Sequence, residues 1–322
     1  MIDLYERLME TCGTENQRNR VHILLENRMM PEELVALRAH YVGRAEPGRA
    51  ELVARRVLGK SAQLLPHPSA SPETVDSRLP RATIEHTQSW IGRLYGLFLH
   101  AGSPSPVSCT RRQLRRDVVV FSDGGPRERK TLLLCFSGNA HRMMMPMPVF
   151  LQSLRPPDVD VVWLRTQRGQ GYRTGIRGIA GSLASSIEGL RILLQPETYR
   201  KLAVMGTSGG GLPAIVTGLQ LGADAVLSVG GNNPHDERWT AQDEGTGIAE
   251  RLRQLSERPV RRPDLYLVHG SNHDRDAESA AAVVAILPWT RTVSVPGADH
   301  NALIPLLQRR RLHALFESTI VA

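Results

Sequence analysis

The chain has few cysteines and few aromatic residues, and it lacks any long apolar run. Its three cysteines, Cys12, Cys109 and Cys135, are too scattered for a disulfide framework or a cysteine-based zinc site. Aromatic residues make up 5% of the sequence, which is too few for the stacking surfaces that bind unpaired bases. No apolar run approaches the roughly 20 residues of a membrane span, and the charged N-terminus does not resemble a signal peptide. These absences predict a cytoplasmic protein that binds neither a membrane nor nucleic acid.

Lysine is also scarce, although the chain is basic. The 322 residues carry a net charge of +8, and only Lys60, Lys130 and Lys201 are lysine, so nearly all of the positive charge is arginine. The arginines are spread in short clusters, which favours at most an anionic substrate or partner. Hydrophobic residues make up 41%, an ordinary globular balance, and the length suits one large domain or two ordinary ones.

Residues 1–105 are expected to form a helical accessory region. Apolar residues recur at three- and four-residue spacing in five stretches, namely 1–12, 18–29, 31–44, 49–65 and 82–99. The region carries no motif with recognisable chemistry, so we interpret it as a cap over an active site or as an interaction module. Residues 101–106, rich in proline, serine and glycine, are the predicted linker.

From residue 106 to 322 short β-rich runs alternate with helical segments. The predicted strands are 117–121, 131–136, 159–164, 201–205, 225–229, 265–269 and 292–295, and the predicted helices are 179–194, 212–221, 277–287 and 302–316. This alternation predicts an α/β domain with a mostly parallel sheet flanked by helices. The first two strands, joined by a turn at 122–126, are expected to pair as an antiparallel hairpin at the sheet edge. Catalytic groups of such sheets gather at the carboxyl ends of the strands.

The segment Gly206-Thr207-Ser208-Gly209-Gly210 follows one of these strands and precedes a helix. It is a G-x-S-x-G motif in the strand–turn–helix context that gives the motif its meaning. The glycines permit a very tight turn, which would hold Ser208 in a strained conformation with its hydroxyl above the sheet edge. Ser208 is therefore the candidate nucleophile, and Thr207 is a candidate substrate contact.

A serine hydroxyl needs a base, and in this architecture the acid and the histidine follow the serine along the chain. His300 lies in a loop between the last strand and the last helix, and it is the candidate base. Two carboxylates, Asp274 and Asp276, follow the penultimate strand. Asp274 is favoured because it lies nearer the glycine that ends the strand, whereas Asp276 also suits a helix N-cap. The sequence leaves this choice open.

An oxyanion hole needs two hydrogen-bond donors. The backbone N–H of Gly209, the residue after the nucleophile, is one candidate. The second is the N–H of Asn139 in the loop after strand 131–136, where Gly138 would let the backbone turn inward.

Five further residues are candidate substrate contacts. Met143 begins a methionine-rich segment that suits an acyl chain, and Arg168 belongs to an arginine-rich loop that could hold an anionic group. The histidines of three loops, His141, His235 and His273, could contact a substrate as well.

From Asp117 to the C-terminus the sequence resembles the α/β-hydrolase superfamily. The resemblance rests on the strand order, the elbow at Ser208, the acid after the penultimate strand and the late His300. It implies an α/β-hydrolase fold and a triad of Ser208, His300 and Asp274 or Asp276 that acts through an acyl-enzyme. Two departures from the common pattern of the superfamily leave the subfamily unassigned. The oxyanion loop reads Ser-Gly-Asn instead of His-Gly, and the acid lies further past its glycine.

Three functions fit this reading. The favoured one is a serine hydrolase that cleaves a small-molecule ester or thioester, with carrier-linked and CoA-linked acyl groups among the options. The second is an acyltransferase that uses the same triad to move an acyl group to a hydroxyl acceptor, in polysaccharide or secondary-metabolite biosynthesis. The third is a non-catalytic scaffold, against which the complete triad argues. No metal and no organic cofactor is expected, because no ligand spacing is present, and the oligomeric state is left open.

Overall fold

A computed structural model of the chain describes residues 1–43, 75–102, 105–154, 158–166, 171–240, 247–257 and 260–322. These residues form two compact units. The first comprises Met1–Ser108 and Pro146–Gln152, and the second comprises Cys109–Met145 and Ser153–Ala322. The helix predicted over 49–65 lies outside the described residues. Within the described ranges, no helix combines the length and the apolar character needed to cross a bilayer.

The first unit contains the predicted N-terminal helical region, which is confirmed. Its helices are α1 (Ile2–Glu10), α2 (Glu15–Glu26), α3 (Pro31–Tyr41) and α4 (Arg81–His100). Local sequence explains two of the starts. Thr14 and Gln17 form a reciprocal capping box before α2, and Pro31 occupies the first turn of α3, where its missing N–H is not needed.

The core of this unit contains a buried histidine. His22 is 2% exposed, and its ring stacks on Trp90 with centroids 4.0 Å apart. The Tyr5 hydroxyl lies 3.0 Å from His22 Nε2 and 2.7 Å from Thr87 Oγ1. Burial lowers the pKa of His22 to about 3, because the apolar surroundings penalise the charged ring. His22 is therefore a neutral core residue.

The second unit is built on an eight-stranded sheet. Its strands are β1 (Thr110–Arg115), β2 (Val118–Ser122), β3 (Thr131–Phe136), β4 (Val159–Leu164), β5 (Lys201–Thr207), β6 (Ala225–Val229), β7 (Asp264–Gly270) and β8 (Arg291–Val295). The order across the sheet is β1-β2-β4-β3-β5-β6-β7-β8. β2 is antiparallel to both of its neighbours, and every other pair is parallel. This strand order is that of the α/β-hydrolase fold, so the predicted fold class is confirmed.

The predicted hairpin between strands 117–121 and 131–136 is wrong. The structure inserts β4 between them, and β2 pairs instead with β1, a strand that the sequence analysis missed. β3 and β4 are buried along their whole length and pair with each other inside the sheet. The hairpin partner of β2 is the polar β1, which needs only the short turn at residues 116–117.

The remaining helices are α5 (Met147–Leu154), α6 (Leu183–Leu194), α7 (Gly211–Leu221), α8 (Glu237–Thr240), α9 (Ile248–Glu257), α10 (Asp274–Ile286), α11 (Leu303–Gln308) and α12 (Leu312–Phe316). Several predicted bounds change, and three helices change most. α6 begins at Leu183, four residues later than expected. α10 begins at Asp274, three residues earlier than expected. The helix predicted over 302–316 is divided into α11 and α12, because Arg310 between them has a left-handed backbone with φ of 56°.

Candidate active site

The turn at Ser208 joins the end of β5 to the start of α7. Ser208 has φ of 50°, a left-handed conformation that is strained for any residue with a side chain. A side chain at Gly206 would collide with the backbone of Gly210, and one at Gly210 would collide with the backbone of Phe136. The expected tight elbow is therefore present, and the glycines are required because the backbones approach so closely.

His300 brings its ring to the serine from the loop between β8 and α11. Its Nε2 lies 3.1 Å from Ser208 Oγ, and its Nδ1 lies 2.8 Å from Asp276 Oδ2. A carboxylate can only accept, so Nδ1 carries the proton and Nε2 is left to accept from the serine hydroxyl. The three side chains thus form one continuous line of hydrogen bonds.

The acid in this line is Asp276, and the sequence-based preference for Asp274 is corrected. Asp274 is the first residue of α10 and its side chain is exposed, whereas Asp276 is 6% exposed. The two positions differ by about 200° around the helix axis, so they face opposite ways. The preference rested on the closeness of Asp274 to the glycine that ends β7, and Asp276 was interpreted as the N-cap of a helix that starts at 277. Because α10 begins at Asp274, Asp276 is not an N-cap, and its side chain faces His300.

Electrostatics in the site favour a basic imidazole. The hydrogen bond and the charge of Asp276 raise the pKa of His300 above its ordinary value, and partial burial opposes this only in part. Gly230, after β6, leaves room for the side chains of Asp276 and His300. A side-chain carbon at this position would lie 3.0 Å from both Asp276 Oδ2 and His300 Cε1. Sequence analysis missed this glycine, which has φ of +55°.

The loop after β3 lies against the elbow. A side-chain carbon at Gly138 would lie 3.1 Å from the Thr207 carbonyl oxygen and 3.2 Å from Ser208 Cβ. One placed at Gly209 would lie 2.8 Å from Asn139 Oδ1. The structure therefore brings the two oxyanion-hole candidates, Asn139 and Gly209, together beside Ser208.

The predicted substrate contacts lie in different environments. The Thr207 side chain is fully buried and donates to the carbonyl of Arg142 at 3.0 Å, so it holds the loop and does not face a substrate. Met143 is 1% exposed and is a core residue. His141 is half-buried in the loop after β3, with φ of 56°. Arg168 lies outside the described residues.

Two residues near the triad carry more than the sequence analysis assigned to them. The side chain of Met144, not that of Met143, approaches Gly230 beside His300, and the Met144 carbonyl accepts from Asn301 Nδ2 at 2.7 Å. His273, predicted only as a loop residue that could contact a substrate, lies with Nδ1 3.1 Å from Asp276 Oδ1. The three-residue spacing of His273 and Asp276 could have indicated this, given the correct start of α10.

Comparison with known proteins finds similar solved structures only. A dienelactone hydrolase from Anabaena variabilis is 14% identical, covers 66% of this chain and 99% of its own, and has a TM-score of 0.47. The siderophore hydrolase EstB from Aspergillus nidulans is 13% identical, with coverage of 68% and 98% and a TM-score of 0.43. An S-formylglutathione hydrolase from Staphylococcus aureus is 11% identical, with coverage of 66% and 99% and a TM-score of 0.44.

No protein-family model matches the chain, and no curated protein matches it. The structural likeness is too distant to carry an argument about function. The fold assignment therefore rests on the strand order and the elbow of this chain itself.

Proposed function

We propose that the chain, which has the α/β-hydrolase fold, is a serine hydrolase that cleaves a small-molecule ester or thioester. The observation that carries the proposal is the line of hydrogen bonds from Ser208 through His300 to Asp276, with distances of 3.1 and 2.8 Å. The strained backbone of Ser208 is a second support, because such strain is commonly kept at reactive positions.

In the first half of the reaction Ser208 Oγ attacks the carbonyl carbon of the substrate while its proton passes to His300 Nε2. Asp276 stabilises the imidazolium that forms, through the proton on Nδ1. The negative charge on the substrate oxygen would be held by the N–H groups of Gly209 and Asn139. Collapse of this intermediate expels the alkoxide or thiolate, which takes the proton from Nε2, and leaves an acyl group on Ser208.

In the second half a water molecule attacks the acyl-enzyme and gives its proton to His300 Nε2. Collapse then returns that proton to Ser208 Oγ and releases the carboxylic acid. An acyltransferase would follow the same steps with a substrate hydroxyl in place of water. Nothing in the geometry of the triad favours transfer over hydrolysis, so hydrolysis is the function proposed.

The proposal is tested by labelling the protein with a fluorophosphonate and locating the adduct by mass spectrometry. We expect an adduct on Ser208 in the wild type and its loss in His300→Ala, because the serine is not activated without its base. His313→Ala is the matched control, since His313 lies in the same unit, on α12, with its Nε2 3.4 Å from Glu317 Oε1 instead. A folded wild type that is not labelled, or a His300→Ala variant labelled as fast as the wild type, would contradict the proposal.

Substrate preference is measured as the turnover of p-nitrophenyl esters and acyl thioesters of increasing chain length by the same protein. Adding an alcohol acceptor separates the two chemistries. Hydrolysis predicts a turnover that does not depend on the acceptor, whereas acyl transfer predicts a turnover that rises with it and a new ester product.

We further propose that residues 1–105 are an accessory region, acting as a cap or an interaction module, and that 106–322 form the catalytic domain. Helices α1 to α4 support this division, because none of them carries a residue of the Ser208–His300–Asp276 line. Limited proteolysis should cut first near residues 101–108; a first cut inside the sheet would oppose the division.

A further inference from the structure

Two histidines lie next to the carboxylate of Asp276, and only His300 is hydrogen-bonded to it. His300 Nδ1 lies 2.8 Å from Oδ2 and His273 Nδ1 lies 3.1 Å from Oδ1, and the two imidazole rings have centroids 5.1 Å apart. One ligand atom from each of the three residues can be chosen so that all lie within 4.8 Å of one another. The triad explains the contact with His300, but it gives no task to His273.

This donor set fits a transition-metal ion of borderline softness. Two imidazoles and one carboxylate are a common set of protein ligands for Zn²⁺, with water as the fourth ligand. Ligand atoms around tetrahedral zinc lie about 3.3 Å apart. The three ligand atoms here lie within 4.8 Å of one another, so the side chains would have to rotate to close on the ion. The His273 and His300 side chains are 31% and 42% exposed, which gives an ion a path from solvent.

We infer that His273, Asp276 and His300 form an inhibitory site for Zn²⁺, one that competes with the catalytic arrangement of the same residues. The metal would take the Nδ1 lone pair of His300, which now carries the proton bonded to Asp276. In a neutral ring that proton then resides on Nε2, so Nε2 donates to Ser208 Oγ and can no longer accept its proton. Bound zinc therefore removes the base without displacing the histidine. The inhibitory consequence rests on the proposed function, whereas the binding itself does not.

Binding is tested by equilibrium dialysis of the full chain against Zn²⁺, with the bound metal measured by mass spectrometry. We expect about one tightly bound ion per wild-type chain and at least a tenfold weaker site in His273→Gln, because one of three protein ligands is lost. His313→Gln is the matched control and should bind as the wild type does. Absence of a tight site in the wild type, or equal affinity in His273→Gln, would overturn the inference.

Inhibition is tested by the rate of fluorophosphonate labelling at Ser208 with and without Zn²⁺, each variant being compared with its own metal-free rate. Zinc should suppress labelling of the wild type, EDTA should restore it, and His273→Gln should need at least tenfold more zinc for the same suppression. Equal suppression in the two proteins would overturn the inhibitory role. If the chain binds zinc through His273 but Ser208 is never labelled, the proposed hydrolase function is wrong and the zinc site is still supported.

Discussion

His22 in the first unit and His300 in the second unit are both histidines, but their pKa values are shifted in opposite directions. His22 has a Tyr5 hydroxyl for a partner and an aromatic stack around it, and burial lowers its pKa to about 3. His300 has a carboxylate partner and is partly open to solvent, and its pKa is raised. The contrast shows that burial without a carboxylate partner lowers the pKa of a histidine, whereas a carboxylate partner raises it in spite of partial burial.

The largest expected effect on the rate of Ser208 labelling comes from replacing one of the two carboxylates at the start of α10. Asp276→Asn removes the charge that stabilises the His300 imidazolium, and its amide group favours the wrong tautomer, so labelling of Ser208 should slow by about 10²- to 10⁴-fold. Asp274→Asn, two residues away and exposed, should stay within about twofold of the wild type. The second-order labelling rates of the two variants are the measurement. A large loss in Asp274→Asn with little loss in Asp276→Asn would reverse the assignment of the acid.

The second test removes the structural histidine. His22→Ala deletes the stack on Trp90 and leaves a cavity, so it should destabilise the helical unit by about 2–4 kcal/mol. Hydrogen exchange by mass spectrometry on the full chain should show faster exchange in α2 and α4. His86→Ala, which removes the next ring in the same stack but is only partly buried, is the control and should have a smaller effect. Unchanged exchange in His22→Ala would mean that His22 contributes nothing to the core.

The last two tests concern pH, and they sharpen the comparison because His22 acts on stability and His300 on reactivity. Unfolded His22 binds a proton as the pH falls below about 6.5, whereas the folded residue does so only near pH 3. The unfolded state therefore binds more protons in this window, and the stability of the helical unit should fall as the pH falls. Amide exchange of α2 and α4 between pH 6.5 and pH 4, corrected for intrinsic exchange, measures this, and it should lose part of its pH dependence in His22→Asn.

For His300 the raised pKa acts on reactivity. Only the neutral ring accepts the Ser208 proton, so the labelling rate should rise with pH through a midpoint above 6.5. Asp276→Asn should move that midpoint to lower pH, since it removes the cause of the raised pKa, and His22→Asn should leave it unchanged. A wild-type midpoint well below 6.5 would show that Asp276 does not act on His300 in this way.

Much of the site could be predicted because it depends on local rules. The glycines around Ser208 belong to a G-x-S-x-G motif, which marks the position of the tight turn in the sequence. His300 follows the last strand, where the base of this architecture is expected. The acid could not be decided in the same way. Asp274 and Asp276 differ only in which side of α10 they occupy, and that depends on where the helix begins.

The errors in the fold have a related cause. β1 carries three arginines and one leucine in six residues, so it lacks the apolar alternation that predicts a strand, yet an outer strand needs no such pattern. The pairing of β2 with β4 joins segments about forty residues apart, which sequence adjacency does not suggest. The approach of Met144 and Gly230 to His300 is likewise a matter of tertiary packing.

The outer strands of the sheet also bear on how copies of the chain behave at high concentration. Among the described strands, β1 and β8 are the outermost, and both present exposed arginines: Arg111, Arg112 and Arg115 on one edge and Arg291 on the other. An outer strand offers unpaired backbone groups to which a second chain could add. Like charge on both rims opposes that addition.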